Sequence, residues 1–122
     1  MTLHIFNPEN DLALACPSPH FIPPVSARQM ADDLSALPVW WAMRGDAVCV
    51  ASVEAARRWA EETGGICPEV KWVGRDGLPS DADVDPWGWS PLMVQRLLTG
   101  GADGSRLPDE ARLARYRELS NR

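Results

Sequence analysis

The sequence predicts an α/β fold with a short, mainly parallel sheet, and three observations carry that reading. Runs such as Leu3–Phe6 and Ala47–Val50 are apolar at nearly every position instead of alternating, as strands are when both faces of a sheet are covered. These runs take turns with segments of helical apolar spacing, the order expected when helices pack on a parallel sheet. The 122 residues are 45% hydrophobic and 24% charged, enough chain to bury the core of one domain and too little for two.

Taken in order, Leu3–Phe6 is the first strand, and the chain leaves it through the polar cluster Asn7-Pro8-Glu9-Asn10-Asp11. A proline-rich run, 16–24, leads to Val25-Ser26-Ala27-Arg28-Gln29-Met30, where Ser26 and Gln29 have the spacing of a capping box and Val25 and Met30 that of its hydrophobic staple. The helix so started should run along Met30, Leu34 and Leu37 until Pro38 stops it. Val39-Trp40-Trp41-Ala42-Met43 and Ala47-Val48-Cys49-Val50 read as two buried strands, and Arg44-Gly45-Asp46 between them would let the pair form a hairpin.

Ser52 caps a helix over Val53–Glu62, with Val53, Ala56, Trp59 and Ala60 on its apolar side and Gly64-Gly65 at its left-handed end. Val70–Val73 is a further strand. Gly74–Pro86, rich in aspartate and without periodicity, reads as a loop. Ser90-Pro91 starts a helix through Leu98 that stops at Gly100-Gly101, and a last helix, 108–120, carries Leu113, Tyr116 and Leu119 as its apolar side. The sum is a three-layer, Rossmann-like α/β sandwich over 1–122, with an α+β arrangement built on the hairpin as its rival.

Composition excludes several function classes. The net charge is −5, and the arginines are spread along the chain except for Arg106, Arg112, Arg115, Arg117 and Arg122, which alternate with Asp109, Glu110 and Glu118 as on a solvated helix. No basic stripe for nucleic acid results. No apolar run approaches the roughly 20 residues of a membrane span. The three cysteines, Cys16, Cys49 and Cys67, are odd in number and irregularly spaced, which predicts a reduced, cytoplasmic protein. Neither G-x-G-x-x-G nor a P-loop occurs, so dinucleotide and phosphate-cradling chemistry are disfavoured.

In an open parallel sheet, ligands collect beyond the carboxyl ends of the strands. That places Asn7, Glu9, Asn10 and Asp11 as substrate-binding candidates, against the simpler reading that they only cap a turn. His4, Cys16, His20, Cys49 and Cys67 include soft metal ligands, but only Cys16 and His20 are close in sequence, and no metal site is expected. Cys16 activated by His20 is a weak nucleophile candidate, and Cys49, inside a strand, should be inert. Trp40, Trp41, Trp59 and Trp72 read as core. Trp87 and Trp89 flank Gly88 and either line a groove or anchor their loop.

Three stretches, IFNPENDLALA at 5–15, PPVSARQMADDLSALPVWWA at 23–42 and PWGWS at 86–90 with the ending at 107–122, resemble a family of uncharacterised bacterial proteins common in Bacteroidetes. The resemblance spans nearly the whole chain and implies longer proteins in which this region is the pre-ATP-grasp domain before an ATP-grasp domain. It implies a Rossmann-like domain that binds substrate with the loop of Asn7, Glu9, Asn10 and Asp11 and has no activity of its own. ATP and magnesium would be held by the C-terminal domain, and no ATP-grasp catalytic residue has a matching position here. The ending Leu119-Ser120-Asn121-Arg122 reads as an interrupted helix, so a fragment is expected. The expected partners are a small-molecule substrate or the missing C-terminal domain, with a homodimer as a further option. The alternatives are a stand-alone protein-binding or assembly module that uses the Trp87-Gly88-Trp89 loop, and an independent enzyme using Asp11 or Cys16.

Overall fold

The computed structural model describes residues 1–16 and 18–120. Four strands, β1 (Thr2–Ile5), β2 (Ala47–Cys49), β3 (Lys71–Val73) and β4 (Asp83–Pro86), form one sheet in the order β3-β2-β1-β4, and every pairing in it is parallel. The helices are α1 (Asn10–Ala15), α2 (Val25–Asp33), α3 (Val53–Glu62), α4 (Pro91–Thr99) and α5 (Glu110–Ser120), with 3-10 turns at Leu37–Trp40 and Gly104–Arg106. This is the α/β class that the sequence predicts.

Alternation along β1 and β2 sorts side chains onto two faces, and each face has its own core. Leu3, Ala47 and Cys49 pack with Met93 and Leu97 of α4 on one side. Val48 and Val50 pack with Val39 of the first 3-10 turn and Ala56 of α3 on the other. Three layers result because the register that pairs Leu3 with Ala47 also pairs His4 with Val48 on the opposite face.

Several local expectations hold at the level of single bonds. Ser52 Oγ accepts the amide of Ala55 at 3.2 Å and Ser90 Oγ accepts that of Met93 at 3.1 Å, so α3 and α4 start where their caps say. Gly64 and Gly65 adopt φ +66° and +83° after α3.

Several expectations are corrected. Val39–Met43 is no strand: the amides of Val39 and Trp41 bond back to the carbonyls of Ala36 and Pro38, closing a 3-10 turn, so the hairpin does not form. Only Val39 of that run is fully buried; Trp40 and Trp41 are 53% and 46% exposed and not core. A short apolar run does not distinguish a strand from a turn that buries one side chain, and Pro38 at the start of the turn favours the coil.

Part of Gly74–Pro86 is β4, an edge strand whose charged Asp83 and Asp85 and terminal Pro86 suit an edge and hide its identity in the sequence. The capping box at Ser26 is not made: α2 begins two residues earlier, after Pro24, and no side chain caps it. That helix stops at Asp33, leaving Met30 and Leu34 half exposed. The polar cluster runs into a six-residue helix, α1, that burial of Ala13 and Leu14 holds in place. In α5 Leu113 is buried and Leu119 exposed; Asn121 and Arg122 lie outside the described residues.

The turn Arg44-Gly45-Asp46 does more than reverse the chain. Gly45 has φ +88°, and Asp46 accepts the amides of Thr2 (3.1 Å) and Met43 (2.9 Å) and the Nε2–H of buried His4 (2.9 Å). Asp46 thereby ties the entry of β2 to the start of β1. The hydrogen bond from His4, helped by the two amides and opposed by partial burial, holds its carboxyl down at about 2 instead of 3.8. A depressed carboxyl stabilises the fold fully above its unfolded value, and this contribution is lost as the pH falls from 3.8 through about 2. Asp46→Asn should therefore cost about 1–3 kcal/mol near neutral pH. Urea titrations of both proteins down an acid series should show the gap closing; a gap that is constant with pH would rule out the charge as its source.

Candidate functional site

The carboxyl ends of β1 and β2 and the loop after β3 open on one side into a cavity of about 450 Å³. Ile5, Phe6, Asn7 and Glu9 line it from β1 and the loop beyond, Cys49 from the end of β2, and Arg75 and Asp76 from the loop after β3. One wall is α4, through Leu92, Met93, Arg96 and Leu97, and another is α2, through Arg28, Ala31 and Asp32, with Ser35 just after it. The apolar part is the exposed edge of the core beneath, where the sheet ends and α4 continues.

β1 lies between β2 and β4, so the strand order reverses at the β1/β4 boundary, where open α/β sheets usually leave a crevice. Here it is closed. The Trp87 amide donates to the Ile5 carbonyl at 2.8 Å, continuing the ladder. Asn7 then takes over from the backbone: its Nδ2 donates to the Gly88 carbonyl (2.8 Å) and its Oδ1 accepts the Gly88 amide (3.1 Å). A side-chain amide carries one donor and one acceptor in one plane and so imitates a strand residue. The remaining opening lies on the α4 face.

Two ion pairs cross the cavity's walls. Glu9 Oε1 accepts from Arg96 Nη1 at 3.0 Å, joining the β1 loop to α4, and Arg75 pairs with Asp32, joining the β3 loop to α2. Glu9 is only 4% exposed, and its Oε2 is buried without a hydrogen-bond partner among the described residues. Gly100 permits the cavity's far contact: a Cβ there would collide with the carbonyl of Arg75, so α4 and the β3 loop approach this closely only with glycine.

The structure thus separates the four predicted site residues. Asn7 and Glu9 line the cavity; Asn7 is also the clamp on Gly88. Asn10 packs its side chain against Gly88, and Asp11 is exposed on α1, and neither lines the cavity. Arg28, Asp32, Arg75 and Arg96 also line it, and nothing local in the sequence marks them, because Arg96 meets Glu9 across 87 positions and Arg75 meets Asp32 across 43.

Cys49 lines the cavity, but burial pushes its thiol up to about 11, against the opposing charge of Arg75, so it stays protonated and unreactive at neutral pH. Cys16 and His20 are exposed and share no hydrogen bond. Among the described residues no group of three or more His, Cys, Asp or Glu is placed to hold a metal ion. No described helix is long and apolar enough to cross a membrane.

Of the loop tryptophans, Trp89 packs on the core of the α4 face. Trp87 is 60% exposed and stands edge-on to Phe6 at 5.5 Å and tilted against Trp41 at 5.9 Å.

Comparison with known families, with curated proteins and with solved structures gives no match. Function has to be read from the site itself.

Replacing Asn7 with Ala removes both bonds to Gly88 and leaves a part-buried amide and carbonyl without these partners. A loss of about 1–3 kcal/mol follows, seen as a lower urea midpoint. An unchanged midpoint would show that water substitutes for the side chain.

Proposed function

We propose that this chain is a substrate-binding α/β domain that works with an ATP-grasp-like catalytic domain and catalyses nothing alone. The observation that carries the binding part is the cavity of about 450 Å³ at the carboxyl ends of parallel strands, apolar on one wall and edged by arginines and carboxylates. Its size suits a small molecule. The catalytic partner is what the resemblance to pre-ATP-grasp domains adds, and the chain's own chemistry agrees with it: a single lysine, no glycine-rich phosphate loop and a protonated Cys49 provide no means of transferring phosphate. ATP and magnesium belong to the partner domain in this reading. A reducing, cytoplasmic setting accords with three cysteines that are all free.

A second reading, a protein-binding or self-associating module, is favoured by one observation. Trp87, Trp41 and Met43 are exposed large apolar side chains, and the first two are in ring contact, which is costly to leave in water. In a two-domain protein the same patch is also available for the neighbouring domain.

Screening small amphipathic fragments against the chain by ligand-observed NMR tests the first reading. Fragments should bind, and Ala31→Phe, which fills the cavity from α2, should abolish binding while the protein stays folded. With magnesium present the chain should hydrolyse no ATP. Hydrolysis by this chain would end the reading that it is inactive alone, and fragment binding untouched by Ala31→Phe would move the site elsewhere.

A further inference from the structure

The geometry points to a small amphipathic primary amine as the ligand of this cavity, with its ammonium on Glu9 and its hydrocarbon along α4. The inference rests on the cavity being a binding site and adds the chemical class. Six charged residues line the space: Glu9, Asp32, Asp76, Arg28, Arg75 and Arg96. Asp32 and Arg75 neutralise each other, and Arg28 and Asp76 are exposed, where water screens them.

Glu9 differs from the rest. Its carboxylate is 4% exposed while the side chain of its partner Arg96 is 43% exposed, so the negative charge is inside and its counter-ion reaches solvent. The carboxylate end of the pair therefore faces the interior beside the cavity, and the guanidinium end faces water.

The second oxygen of Glu9, Oε2, has no donor among the described residues. A carboxylate only accepts hydrogen bonds, so whatever completes it must bring N–H or O–H, and a cation does so while also meeting the charge. The terminal torsion of glutamate is soft, so the carboxylate can turn to present either oxygen to a group entering the space that Glu9 lines. An anionic ligand at this point would face repulsion instead. Much of the lining of the same cavity is hydrocarbon, from Ile5, Phe6, Leu92, Met93 and Leu97, which disfavours a compact inorganic cation and accepts an alkyl or aryl body.

The test compares three probes with the same hydrocarbon chain, hexylammonium, 1-hexanol and hexanoate, titrated separately into the ¹⁵N-labelled protein. Hexylammonium should shift the amides of Glu9, Met93 and Leu97 and bind about tenfold more tightly than 1-hexanol, while hexanoate leaves these signals in place. Hexanol or hexanoate binding there as tightly as the amine overturns the assignment of class but leaves the cavity as a binding site. If none of the three shifts these amides, both inferences fall. In Glu9→Gln, which keeps size and removes charge, the advantage of the amine over the alcohol should disappear. The comparison in the unaltered protein decides the question even if that variant does not fold.

Discussion

The structure depends on completing the hydrogen bonds of β1. This strand is buried on both faces and has neighbours on both sides, so every backbone amide and carbonyl at its carboxyl end must find a partner within the protein. At its start, Asp46 takes the amide of Thr2. At its end, the backbone ladder to β4 stops after Trp87, and Asn7 extends it through Gly88. The polar residues beyond β1 thus begin as a structural necessity.

Closing one crevice leaves the other open. With the β1/β4 boundary sealed, the chain turns through Glu9 into α1, and Glu9 comes to lie under α4, where Arg96 meets it. A charged group has been placed at the end of an apolar core, which costs free energy unless its partners are complete. Arg96 completes one oxygen and not the other. The proposed binding chemistry is placed there because the fold's own requirements leave that carboxylate unfinished, and the neighbouring wall, where α2 buries only Ala31 and is joined to the β3 loop through Asp32, encloses the space without filling it.

The polar cluster after the first strand illustrates how far sequence reading reached. Its location beyond a buried strand was legible from period and composition, and Asn7 and Glu9 do line the cavity. The division of labour within it was not, since Asn10 and Asp11 have the same residue types and differ only in which way α1 turns them. The tryptophans mislead for a related reason: Trp40 and Trp41 sit in an apolar run, but Pro38 coils that run and only Val39 of it is fully buried. β4 is concealed by acids that an edge strand tolerates and a central one does not.

The sequence by itself determined the α/β class, the caps at Ser52 and Ser90, the left-handed glycines after α3 and the place of the polar loop, because each follows from a few neighbouring residues. Only the tertiary structure decided the strand order, the edge role of Asp83–Pro86, the coil at Leu37–Trp40 and the pairings of Glu9 with Arg96 and Asp32 with Arg75. These contacts join residues dozens of positions apart. Their free energy comes from burial and pairing across the sheet, which no local run of residue types encodes.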